Sequence, residues 1–171
     1  MNASPSTEAD GLRRKIRTLI GIFIVALVLS GITAFPLLHE LNLLARWLGA
    51  DAPGHPEGGF HWWICTVRDG LADTDTHHPW MAYGTDWLAF AHLAIAVFFI
   101  GPWRDPVRNI WVLQAGLIAC IGVVLLALVC GPVRGIPLYW RLIDCSFGIT
   151  AFPILCWIVK LTQRLEKLTA R

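Results

Sequence analysis

Charge is what this sequence has least of. Asp, Glu, Lys and Arg make up 15% of its 171 residues, against about 25% in an ordinary soluble domain. That deficit excludes a conventional water-facing surface. Catalytic signatures are as scarce. There is no CxxC pair, which argues against a thiol–disulfide enzyme. There is no HExxH or CxxCH, no phosphate-binding P-loop, no Rossmann glycine pattern and no Gly-x-Ser-x-Gly elbow. No nucleic-acid motif is present, and nucleic acid is not expected as a partner.

Hydrophobic residues are abundant, at 56%, with nine Trp and a mean hydropathy of +0.57. Four apolar runs reach the length a bilayer requires, about 20 residues. The expected spans are 16–38, 85–103, 109–130 and 137–160. The second has the shortest apolar core, Trp87–Gly101, and crosses only if the aromatic residues Tyr83 and Trp103 sit at the two interfaces. The first follows a basic patch, but it is too long for the apolar part of a cleaved signal and no A-x-A site follows, so it reads as an uncleaved anchor. The opening "MNASPSTEAD" reads as a tail without structure.

Basic residues set the orientation. Arg13, Arg14, Lys15 and Arg17 precede the first span, Arg104 and Arg108 follow the second, and Lys160, Arg164, Lys167 and Arg171 close the chain, so ten of the 14 Lys and Arg lie on one side. Positive charge marks the cytoplasmic side. Residues 1–15 and 161–171 are then cytoplasmic tails flanking a single four-helix transmembrane domain, 16–160, and the long connection 41–82 lies outside.

The connections "GPWRDPVRN" and "GPVRGIP" are short, each opens with Gly-Pro to end a helix, and each carries a second Pro near the next helix start. Short turns make spans two to four antiparallel neighbours. In the outer connection, Phe60, Trp63, Ile64, Val67 and Leu71 recur at helical spacing, an amphipathic segment suited to the interface plane. The hexamer "GITAFP" occurs twice, at Gly31–Pro36 and Gly148–Pro153. Its flanks hardly match, so the better reading is a small packing face before a proline kink, with Thr33 and Thr150 near the freed carbonyls.

Polar residues at span depth gather in the outer half. His92 lies six residues past Asp86, ~9 Å below the outer interface at the helical rise. Asp144 lies seven residues past Pro137, about 10 Å below it. Arg141 is three residues before Asp144 and is placed to pair with it. Asp86, with Thr85, reads as the cap that starts the second span. His92 has three readings: a hydrogen bond across helices to Asp144 or Thr85, proton transfer in a polar site, or ligation of a b-type haem with His39 as the shallower second ligand. Asp73, Asp75 and His77 alternate in "DTDTHH" and would face one way on an extended strand, as a weak cation site. Of the five cysteines, Cys120, Cys145 and Cys156 read as small packing residues, whereas Cys65 and Cys130 lie toward the outer side and are candidates for pairing.

The stretches "YGTDWLAFAH", "GPWRDPVRNIW" and "GPVRGIPLYWRLIDCSFG" resemble those of a family of small four-span bacterial integral membrane proteins. The resemblance covers roughly residues 79–157. It implies the topology and a bacterial inner-membrane location, and it carries no catalytic role.

The expected fold is therefore all-α: an integral membrane four-helix up-down bundle with an outer amphipathic helix. The expected function is a polar pocket in the outer half, lined by His92, Asp144 and Arg141 with His39, Tyr83 and Asp86 at its rim. Such a pocket suits a small amphiphile, a quinone, a lipid headgroup or a haem. Two alternatives stand beside it. One is an accessory subunit of a larger membrane complex or a homo-oligomer, its polar residues serving helix packing. The other is a membrane-embedded enzyme using His92 and Asp144 as acid and base.

Overall fold

The computed structural model describes residues 5–170, all α-helix, turn and loop. Six helices follow in order: α1 (Pro5–Ala34), α2 (Leu37–Leu48), α3 (Phe60–His77), a 3₁₀ turn at Pro79–Met81, α4 (Tyr83–Arg104), α5 (Ile110–Val133) and α6 (Leu138–Thr169). Four of them, α1, α4 (with the turn before it), α5 and α6, are long and apolar enough to cross a membrane. Their large apolar side chains are exposed: Ile118 is 72% exposed and Phe147 67%. No soluble fold leaves so much apolar surface in water. This is an all-α, multi-pass membrane protein, and those faces meet the lipid bilayer.

The chain forms two compact units, one built from the residues up to Val25 together with Val97 onward, the other from Ala26–Ala96. In the first unit four helical segments close a ring. The Arg17 side chain of α1 donates to the carbonyls of Trp103 and Arg104 at the end of α4 (3.1 and 3.0 Å). One turn and a half further, the Phe23 and Phe99 rings meet at 4.7 Å. Phe99 also abuts Gly116 of α5, and Leu155 of α6 reaches the same glycine. The Lys15 ammonium lies 4.4 Å from the Trp157 ring centre, and Glu8 pairs with Arg164, which ties α6 back to α1. Low numbers on one helix meet high numbers on the next throughout, so each neighbour runs antiparallel. Ile16, Ile20, Leu113, Leu155, Ile158 and Leu165 are fully buried at this core. The same pairing brings the basic residues of the α1 start, the α4–α5 turn and the α6 end to one end of the unit.

The helices run further than the apolar runs alone suggest. Pro5–Asp10, expected to be unstructured, belongs to α1, because Glu8 finds Arg164 on α6 and the pair continues beyond the apolar section; residues 1–4 of that stretch lie outside the described residues. Pro102 and Pro132 likewise fall inside the last turns of α4 and α5 rather than ending them. After Pro132 the helix closes where Gly135 adopts a left-handed φ of 70° and Ile136 N–H reaches back to the Gly131 carbonyl at 2.9 Å.

In the second unit α2 packs on α3, burying Leu41, Ala45 and Ile64. α2 replaces the expected end of the first span: α1 stops at Ala34, and a new helix starts at Leu37. Gly49 closes α2 with φ 65°, and Ala50 N–H returns to the Ala45 carbonyl at 2.9 Å. α3 confirms the outer helix and extends it through "ADTDTH". Arg68 on α3 holds the preceding loop through Asp51 (2.6 Å) and also binds Asp69 (2.8 Å).

The two GITAFP copies behave differently. At Pro36 the helix breaks; at Pro153 α6 continues through. The shared element is the glycine. A methyl group on Gly31 would press on the Ala89 carbonyl and the Leu93 side chain of α4, and one on Gly148 would overlap the Cys120 carbonyl of α5. Each copy supplies a close helix contact, as the small-residue face implies. The threonines do not serve the freed carbonyls: Thr33 Oγ1 donates to Ser30 (3.3 Å) and Thr150 Oγ1 to Ser146 (2.8 Å). The Ile32 carbonyl, which Pro36 leaves without its usual donor, accepts from Phe35 N–H at 3.4 Å.

Candidate functional site

The 3₁₀ turn aims the chain into α4, and the first turns of α4 carry Tyr83, Asp86, Trp87 and Phe90 at offsets of three, four and seven. Such offsets bring side chains to one face of a helix. Phe35 sits in the break between α1 and α2, where Pro36 ends the helix. These five residues line one open groove of about 320 Å³, apolar except for the carboxylate. Tyr83 and Trp87 meet edge to face with ring centres 5.9 Å apart, and Trp87 and Phe90 repeat that geometry at 5.9 Å. Each ring thereby props its neighbour, which fixes the wall of the groove.

Asp86 does not cap α4. Thr85 Oγ1 turns back to the Ala82 carbonyl at 2.6 Å, and α4 has already begun at Tyr83. Asp86 therefore lies inside the first turn, where a carboxylate complements the positive end of the helix dipole. It is half-buried and makes no side-chain hydrogen bond or ion pair among the described residues.

His92 sits further along α4 and is half-buried. Its Nδ1 lies 2.8 Å from the Leu88 carbonyl, one turn back. A carbonyl only accepts, so Nδ1 carries the hydrogen and Nε2 keeps its lone pair. This local bond replaces the expected bond to Thr85. His39 is exposed on α2.

Arg141 and Asp144 lie on α6, in the other unit. The expected pair between them does not form: neither joins the ion pairs among the described residues. The reason is local. The Arg141 stem lies against Gly131 of α5, filling the space that a glycine without Cβ leaves, and its Nε is buried without a hydrogen-bond partner. The side chain thus follows the neighbouring helix rather than its own. Of the six residues the sequence singles out, the structure brings Tyr83 and Asp86 together in one groove. The sequence reading missed Phe35, Trp87 and Phe90. The offset pattern from Tyr83 was a usable signal, whereas Phe35 needed the helix break.

The outer cation site fails for a clear reason. Residues 73–77 are helical, so alternate positions point apart. His77 instead pairs with Asp73 one turn back at 2.9 Å. No group of three His, Cys, Asp or Glu capable of holding a metal occurs among the described residues. All five cysteines are free, so Cys65 and Cys130 are not paired. Cys65, on α3, donates to the Ala50 carbonyl at 3.4 Å, and burial pushes its thiol pKa up, partly offset by Arg68.

Comparison with protein-family models, with curated proteins and with solved structures finds no match to this chain.

Proposed function

We propose that this protein resides in a bacterial cytoplasmic membrane, both termini inside, and holds a small amphiphile at its outer side. One observation carries the reading: an aromatic groove with a single carboxylate, framed by Phe35, Tyr83, Asp86, Trp87 and Phe90. Tyr and Trp favour the membrane–water boundary, and an amphiphile lying there presents a polar head beside an apolar tail. The gathering of basic residues at one end of the ring supports the orientation. His92, Asp144, Arg141 and His39 would then tune or extend the polar side of the same outer half.

Native mass spectrometry of the full-length protein, released from detergent, tests this. One retained small amphiphile per chain is expected, and it is lost when Trp87 and Phe90 are both changed to Ala. No retained molecule, or one retained equally by the double variant, overturns the reading. Reporter fusions test the orientation: an alkaline phosphatase joined within residues 52–58 is active, and one joined after Thr169 is not.

A second reading rests on His92. The Nδ1–H bond to Leu88 fixes the tautomer and leaves Nε2 as the free nitrogen, the arrangement that orients a haem-ligating histidine. His39 is the candidate second ligand. A Soret band in purified protein, lost in His92→Ala, supports it; a colourless protein overturns it.

A further inference from the structure

From the unpaired Asp86 carboxylate and the three rings set beside it, we infer that the groove selects an amphiphile with a monovalent alkylammonium head. This rests on the groove reading above and names its ligand class. Asp86 has no partner of its own among the described residues, although it is half-buried between aromatic side chains. Burying a lone carboxylate is costly unless an opposite charge or a donor meets it. A phosphate, sulfonate or carboxylate head would add a second negative charge. A divalent cation would need further ligands, and no group of three potential metal-ligating residues occurs among the described residues. An organic cation has what both lack. It neutralises Asp86, and its alkyl-substituted nitrogen suits the negative faces of Tyr83, Trp87, Phe35 and Phe90. The edge-to-face contacts along Tyr83, Trp87 and Phe90 hold those ring faces in fixed orientations, so little ordering is needed on binding. The apolar remainder of the groove takes the start of the tail.

The test uses full-length protein in phosphatidylglycerol nanodiscs and three single-chain photo-cross-linking probes. They share one diazirine tail and differ in the head: trimethylammonium, sulfonate or maltoside. Yield on the peptide carrying residues 83–90 is divided by yield on α5, whose Ile118 and Leu126 face outward, to cancel attraction to the anionic disc. The trimethylammonium probe is expected to exceed the sulfonate about tenfold, the factor a charge-assisted contact supplies. Asp86→Asn removes that preference and Asp86→Glu retains it, with helicity checked by circular dichroism. If all three probes label residues 83–90 equally, the amphiphile groove stands and the cation inference falls. If none labels that peptide above α5, both fall. Competition distinguishes the sources. Excess phosphatidylethanolamine or phosphatidylcholine in the disc displaces the probe if the ligand is a lipid headgroup. A soluble single-chain alkylamine alone displaces it if the ligand is a free cation. If neither displaces it, the tail sets the labelling and the inference is overturned.

Discussion

The Arg17 Nε–H donates to the carbonyl of Trp103 at 3.1 Å, and the same guanidinium reaches the Arg104 carbonyl at 3.0 Å. The end of one membrane helix is thus capped by the start of another. The last carbonyls of a helix have no partner in their own ladder. A planar guanidinium serves two of them at once, which an ammonium cannot do with the same geometry.

Arg17→Gln should therefore lower stability by about 1–2 kcal/mol, the worth of charge-assisted bonds at a helix end. Arg17→Lys keeps the charge and recovers only part of the loss. Thermal unfolding of the three proteins in one detergent checks this. Equal stability of Lys and Arg at this position would show that charge alone matters there.

Gly148 and Gly122 lie on paired helices and should respond oppositely to alanine. A Cβ at Gly148 would overlap the Cys120 carbonyl, which belongs to the α5 backbone and cannot rotate away. Gly148→Ala should push α6 off α5 at a cost of about 1–3 kcal/mol or more. Gly122 has nothing within 4 Å of a built Cβ, so Gly122→Ala should gain about 0.5–1 kcal/mol from reduced backbone freedom. Gly31→Ala should fall between, because Leu93 can turn aside whereas the Ala89 carbonyl cannot. Denaturant melts of the three variants in mixed micelles provide the order.

These contacts show where sequence reading works. Membrane spans are legible because hydrocarbon admits only long apolar helices, and each such helix announces itself over some twenty residues. The up-down order followed from the turn lengths. What failed were features decided by a neighbour. Arg141 and Asp144 sit three apart on one helix, yet Gly131 of α5 opens a space that draws Arg141 away. One hexamer broke a helix at Pro36 and passed through it at Pro153, which local sequence alone did not distinguish. The groove was half legible: Tyr83 and Asp86 came from the sequence, while Phe35 entered only because the helix stops beside it.

Cys65 provides a pH-dependent test outside the membrane spans. Burial raises its thiol pKa; Arg68 pulls it down, while Asp51 and Asp69 push it up. The folded state therefore favours the protonated thiol. Its contribution to stability is fully present below the unfolded value, about 8.5, and is lost as pH rises through the higher folded value. Peptide-resolved iodoacetamide labelling should show Cys65 reacting with a midpoint at higher pH than an unstructured thiol. Arg68→Met removes the lowering charge and should move that midpoint further up. A midpoint at the free-thiol value would mean that the Ala50 contact does not hold in the membrane-embedded protein.

Thr162 lies wholly buried in α6, and its hydroxyl has no hydrogen-bond partner. It sits among apolar positions: Ile158 and Leu165, one turn to either side, are also fully buried. An unmet hydroxyl in such a place costs about 1–3 kcal/mol in lost solvation. Valine has nearly the same shape without that cost. Thr162→Val should therefore raise stability by about 1 kcal/mol, a shift of about 2–4 °C in Tm for a chain of this size. Thr162→Ala also removes the hydroxyl, but it opens space in a packed core, so its gain should be smaller or reversed. A fall in Tm for Thr162→Val would show that the hydroxyl is paired when the protein is in its bilayer, with a backbone carbonyl of α6 one turn back as the group to examine first.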